Sequence, residues 1–179
     1  MATNNAINNK VNLILISSQT ASNSASISFT NLSSYGNLTF YVVFSEVQAV
    51  TNGGVLQLLV STNNGSSYAT TGYNSGITYS GYNSASLYNN NSSSAALLTA
   101  SQNNGSITSN GFIYLYNFNL GTYFILNGIT SWNDSSLAQL ASSHSLTCSG
   151  TTGVNAIKFL YNNGNISSGI FTLYAISTG

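Results

Sequence analysis

The stretch LTFYVVF, residues 38–44, places Leu38, Phe40, Val42 and Phe44 on one side of an extended chain. Successive side chains of a strand point to opposite faces, so apolar residues recurring every second position mark a half-buried strand. The same period extends outward in both directions. In VLQLLV (55–60) Leu56, Leu58 and Val60 share a face while Gln57 points away, and in NAIKFLY (155–161) Ile157, Phe159 and Tyr161 face inward with Lys158 outward. GFIYLYNFNL (111–120) puts Phe112, Tyr114, Tyr116, Phe118 and Leu120 on one face. GIFTLYAIS (169–177) differs: Phe171, Leu173 and Ala175 oppose Ile170, Thr172, Tyr174 and Ile176, so both of its faces are suited to burial. A strand of that kind belongs in the middle of a sheet or at a subunit contact.

Between these runs lie TNGG, TNNGSS, NNNSSS, QNNGS and NNGN, in which Asn and Gly reach the positive φ that tight hairpins need. Short strands separated by turn signals about 8 to 12 residues apart predict an antiparallel sandwich or barrel. The one helix expected is DSSLAQLASSH, residues 134–144, where Asp134 or Ser135 precedes a short Leu/Ala pattern. VNLILIS, residues 11–17, reads as a strand, so residues 1–16 form an N-terminal segment with the first strand and residues 17–179 a single sandwich domain.

The composition narrows the function. A chain of 179 residues buries roughly 70% of the surface that its unfolded form exposes, enough for a real core. Twelve Tyr, eight Phe and 42% apolar residues exclude the disordered class, which is poor in aromatics and rich in charge. Charged residues make up only 2% of the chain, against about 25% in ordinary domains. Lys10, Lys158, Glu46 and Asp134 are the whole charged set. They cannot neutralise a run of phosphates or form a basic patch on an anionic membrane, so nucleic acid and membranes are not expected partners. Cys148 is the only cysteine; it can form no internal disulfide and reads as a small buried apolar residue. The N-x-Ser/Thr triplets, which begin for example at Asn31, Asn64 and Asn165, arise by chance in a chain this rich in Asn, Ser and Thr.

Little of this supports catalysis. Glu46 reads as a polar group at a strand end and Asp134 as a helix cap, and no G-x-S-x-G elbow frames a triad of His144, Asp134 and a serine. One His and one Cys make no structural zinc site. No catalytic residue, metal or cofactor is therefore expected. Trp132, in ITSWNDSS, is the residue whose type suggests recognition: exposed beside Asn133 and Asp134, it would stack on a sugar ring while its neighbours bind the hydroxyls. Tyr73, Tyr79, Tyr82 and Tyr88, in a stretch read as loop-rich, would act likewise. The competing reading makes these aromatics core or interface anchors. A subunit interface is expected around Phe171, Leu173, Tyr174 and Ile176.

Two stretches carry a resemblance. LLVSTNNGSSYATTGY (58–73) resembles the hairpin of jelly-roll structural proteins of tailed-phage virions, and NNGNISSGIFTLYAI (162–176) is similar to their C-terminal strand. The chain has Ala175 where that strand usually carries Gly, and uncharged turns where Asp is common. The resemblance implies an all-β fold, an antiparallel sandwich of jelly-roll type, in a non-enzymatic virion protein on a capsid, tail or fibre. It further implies a homo-oligomer, often a trimer, displayed on the particle exterior; other virion proteins are expected partners, and a host surface glycan is the partner that Trp132 and the tyrosines would serve. The alternatives are a carbohydrate-binding module and a subunit of an extracellular surface filament.

Overall fold

The computed structural model describes residues 11–81, 84–90, 94–105, 108–134 and 136–178. Twelve strands form two antiparallel sheets packed face to face. In chain order they are β1 (Val11–Ser24), β2 (Ile27–Phe29), β3 (Thr39–Ala49), β4 (Leu56–Ser61), β5 (Tyr73–Gly81) and β6 (Ser84–Asn90). There follow β7 (Ala96–Leu97), β8 (Ser109–Tyr116), β9 (Tyr123–Asn133), β10 (Gln139–Thr152), β11 (Ala156–Tyr161) and β12 (Ile166–Thr178). The large sheet runs β1-β12-β3-β8-β9-β10-β5-β6 and the small one β2-β11-β4-β7. Setting aside the hairpins β5–β6 and β9–β10, the remaining strands alternate between two four-stranded sheets, β1-β12-β3-β8 and β2-β11-β4-β7. That is the paired Greek-key winding of a jelly roll. Both extra hairpins add beyond β8, so the large sheet is twice as wide as the small one.

The core follows from the alternation. Phe40, Val42 and Phe44 of β3 are buried, as are Leu56, Leu58 and Val60 of β4 and Ile157, Phe159 and Tyr161 of β11. β12 lies between β1 and β3, with Phe171, Leu173 and Ala175 buried on its inner side. Phe159 sits at the junction of the sheets, its ring centroid 5.0 Å from that of Phe171 and 6.4 Å from those of Phe29 and Phe44. Cys148 is buried and its thiol donates to Thr151 Oγ1 at 3.4 Å.

The uncharged turns are held by side-chain amides. Ser61 Oγ accepts the N–H of Asn63 and Gly65, Asn63 Oδ1 accepts that of Ser67, and Asn64 takes up the left-handed conformation at φ 60°. Asn64 donates from its own N–H to Asn155 Oδ1 and from Nδ2 to Asn31 Oδ1, tying three loops together. Short amides bond backbone groups locally, which a flexible Lys or Glu does poorly.

Two local expectations are corrected. Residues 134–144 form no helix: Asp134 Oδ1 accepts the N–H groups of Ser136 and Ala138 in a tight turn, and the chain enters β10 at Gln139. Leu140, Ser142, His144 and Leu146 are buried in alternation there, a period of two that Leu and Ala at short spacing resembled as a helix. The first strand runs through residue 16 without a break in the ladder other than a bulge between Leu15 and Ser17. In 111–116 the buried residues are Ile113 and Leu115, while Phe112, Tyr114 and Tyr116 lie on the other face. The strand ends at Tyr116, and Asn117, at φ 65°, reverses the phase so that Phe118 enters the core. Among the described residues the helical structure is one 3-10 turn, Leu32–Tyr35.

At one end of the sandwich a buried Gln102 joins the layers. Its Nε2 donates to Val47 O at 3.1 Å, its Oε1 accepts from Tyr161 Oη at 2.6 Å, and its backbone pairs with Gly53 and Gly54. Gln102→Ala takes away the 2.6 Å acceptor of the Tyr161 hydroxyl and the donor to Val47 O, and lowers stability by about 2–3 kcal/mol; adding Tyr161→Phe to that variant recovers part of the loss. Urea denaturation of the three variants measures this, and equal stability of wild type and Gln102→Ala would contradict it.

Candidate assembly surface

The inner face of the large sheet is core, so the residues of opposite parity define its outer face. Direct cross-strand partners share a face, and the registers set them in rows. The central row is Leu15, Tyr174, Tyr41, Tyr114, Asn127, Ser145 and Gly76, crossing β1, β12, β3, β8, β9, β10 and β5. The row beside it reads Ser18, Thr172, Val43, Phe112, Ile129, Ser143 and Thr78. On the other side lie Leu13 with Ile176, and Tyr116 with Ile125 and Thr147. The face thus divides into an apolar and aromatic half on β1, β12, β3, β8 and β9 and a hydroxyl half on β10 and β5. None of these residues is charged.

The aromatic half is a continuous cluster. Tyr41 lies at its centre, 4.8 Å from Tyr114, 5.8 Å from Phe112 and 6.3 Å from Tyr174 between ring centroids; Tyr114 continues to Tyr116 at 6.3 Å. The Tyr41 phenol is pushed above its ordinary pKa by burial and by the neighbouring phenols of Tyr114 and Tyr174. At the margins the apolar side chains stand in solvent: Leu13 is 56% exposed, Leu15 60% and Ile129 49%.

The expected interface residues divide between two environments. Tyr174 and Ile176 belong to this outer face, whereas Phe171 and Leu173 are core residues of the inner one. The expected glycan site disperses. Trp132 is 1% exposed, with Tyr79 edge-on at 6.4 Å, because it falls on the inner side of β9; it offers no ring to a sugar in solvent. Asn133 is buried and donates from Nδ2 to Leu137 O. Asp134 forms the β9–β10 turn. Tyr73 is fully buried; its hydroxyl accepts the Val60 N–H and donates to Ala69 O. Tyr82 lies outside the described residues, and Tyr88 is in β6, paired with Ile77.

Glu46 is not at a strand end but in a bulge of β3, at φ 55°, where its N–H donates to Asn110 Oδ1. His144 lies on the inner side of β10, five residues from the Asn133–Gln139 pair beside Asp134, a separation of roughly 17 Å along the strand. Its Nε2 shares hydrogen bonds with Ser142 Oγ at 2.7 Å and Thr130 Oγ1 at 3.0 Å, and its Nδ1 has no partner. Burial lowers its pKa to about 4. Next to it in β9, Gly128 carries no side chain because a Cβ would lie 2.3 Å from Phe112 O. Beyond the edge of the small sheet, Ile77, Tyr79, Leu97 and Thr99 are among the residues bordering a cavity of about 210 Å³. Among the described residues no three of His, Cys, Asp and Glu cluster as a metal site would require.

The Tyr row was missed because Phe112, Tyr114 and Tyr116 look like a core face beside the smaller Ile113 and Leu115. The available signal was that both parities of that strand are apolar, as in β12. Neither protein-family models nor curated proteins match this chain.

Proposed function

We propose that the chain is a non-enzymatic structural module of a virion exterior, on a capsid, tail or fibre, that works by self-assembly and surface display. The observation that carries this reading is the uncharged outer face of the large sheet, with its Tyr174–Tyr41–Tyr114 row and exposed leucines. Contiguous apolar surface beyond a few hundred Å² marks an interaction site on a soluble protein. The jelly-roll winding and the resemblance of residues 58–73 and 162–176 to phage structural proteins supply the virion context. A closed homo-oligomer suits a face without charge, since copies meet without repulsion and no ion pair is required. The carbohydrate-binding alternative loses its anchor with Trp132 in the interior.

Peptide mass spectrometry and immunogold labelling of purified particles from the source test the proposal. The expected result is the chain at stoichiometric level with label on the particle exterior. Its absence from particles that are otherwise complete would overturn the virion reading.

A further inference from the structure

We infer that the outer face of the large sheet is the docking surface for the same face of a second copy, with Tyr41 at the twofold centre. This rests on the self-assembly reading and specifies the surface that performs it.

Size is the first argument. Five strands about 4.8 Å apart and three rows about 7 Å apart give the apolar half a footprint of roughly 24 Å by 20 Å, about 500 Å². Counted on both copies this is about 1,000 Å², the level from which a specific, well-fitted interface is recognised. Sheets pack face to face about 10 Å apart with their inner side chains interdigitated, a geometry that this face offers on the side opposite the core.

Self-complementarity is the second. A partner of different chemistry would be selected by charge or by a pocket, and these rows have neither. A copy of the same face fits by symmetry. A twofold axis parallel to β3 sets β3 against β3, β12 against β8 and β1 against β9 of the second copy. Tyr41 then meets its own equivalent, Tyr174 meets Tyr114, Leu13 meets Ile125, and the exposed Leu15 and Ile129 lie over Asn127 and Ser18 of the β9 and β1 columns. The apolar columns all fall within the overlap, and the polar column of β10 lies just outside it, at the rim, where interfaces are polar. Such a contact is isologous and closes at two copies.

Sedimentation equilibrium of the full chain tests this with Tyr41→Glu, Leu15→Glu and Ser66→Lys, the last placing a charge on an exposed turn of the opposite sheet. The wild type and Ser66→Lys are expected to form pairs. Tyr41→Glu places two carboxylates together at the axis and weakens pairing at least about 100-fold, and Leu15→Glu, on an already exposed side chain, at least about 10-fold. Far-UV circular dichroism establishes that each variant is folded; should Tyr41→Glu not fold, Leu15→Glu carries the decision. A wild type that stays monomeric at 100 µM, whatever else binds the face, or an oligomer that both glutamates leave intact, would overturn the inference. A trimer dissociated by neither variant leaves self-assembly standing and removes this face from it. Particles without the chain remove the virion reading and not this one.

Discussion

Phe159→Ala is expected to cost about 3–5 kcal/mol. Phe159 is fully buried and faces Phe29 of its own sheet and Phe44 and Phe171 of the other. Its removal costs transfer free energy and also leaves a cavity that backbone ladders on both sides prevent from collapsing. No disulfide offsets the loss, because Cys148 is the only cysteine. Against a total stability of about 5–15 kcal/mol this removes between about a fifth and the whole of the margin. For a domain of this size the melting temperature falls by about 10–15 °C. Phe159→Leu, which keeps most of the volume, should lose less than half as much. Calorimetry at neutral pH measures both, and a loss below about 1 kcal/mol for Phe159→Ala would mean that the sheets are not held together here.

Acid is expected to destabilise the protein through His144. The folded state holds its pKa at about 4 by burial, below the ordinary value of 6.5. Between these values the unfolded chain binds a proton that the folded chain refuses, so stability falls as the pH falls. The contribution is fully present above about pH 6.5 and lost by about pH 4, a difference on the order of 3 kcal/mol. The unpartnered Nδ1 means that a protonated ring finds no acceptor on that side. His144→Asn removes the titration while leaving Glu46 and Asp134 unchanged, so the difference between the two pH profiles isolates His144. Chemical denaturation from pH 7.5 to pH 4 gives both curves. Parallel profiles would show that His144 is protonated in the folded state without penalty.

How much could be read in advance depended on where apolar residues sit relative to the strand period. β3, β4 and β11 were legible because one parity is apolar, β12 because both are, and the turns between them are rich in Asn and Gly. β5 and β10 were not. Their outward residues are Asn74, Gly76, Thr78 and Ser80, and Ala141, Ser143 and Ser145, types that also compose loops, so the two added hairpins looked like a loop-rich stretch and a helix. Their strand form is imposed by the ladders on either side rather than by local preference, as context commonly decides for strands. Trp132 was misplaced for a related reason: beside Asn133 and Asp134 it looks like part of a turn, yet it is the last inward residue of β9. The assembly face was half legible, since the two-sided character of β12 placed Tyr174 and Ile176. The rest required the register of β3 against β8, which no local pattern contains.

The position of β12 orders events in time. Val11 pairs with Thr178, and β12, made after both of its neighbours, is inserted between β1 and β3. During synthesis both neighbours of that slot are finished while the slot is empty, leaving two unpaired ladder edges and the inward side of Phe40, Val42 and Phe44 without their Phe171 and Leu173 neighbours. Closing a loop of this length early has an entropic cost that local contacts do not repay. The slot therefore stays open until β12 has emerged, and the tyrosine row, which needs Tyr174, is completed only at that step. Subunits cannot begin to recognise one another through it before β12 of each has been made.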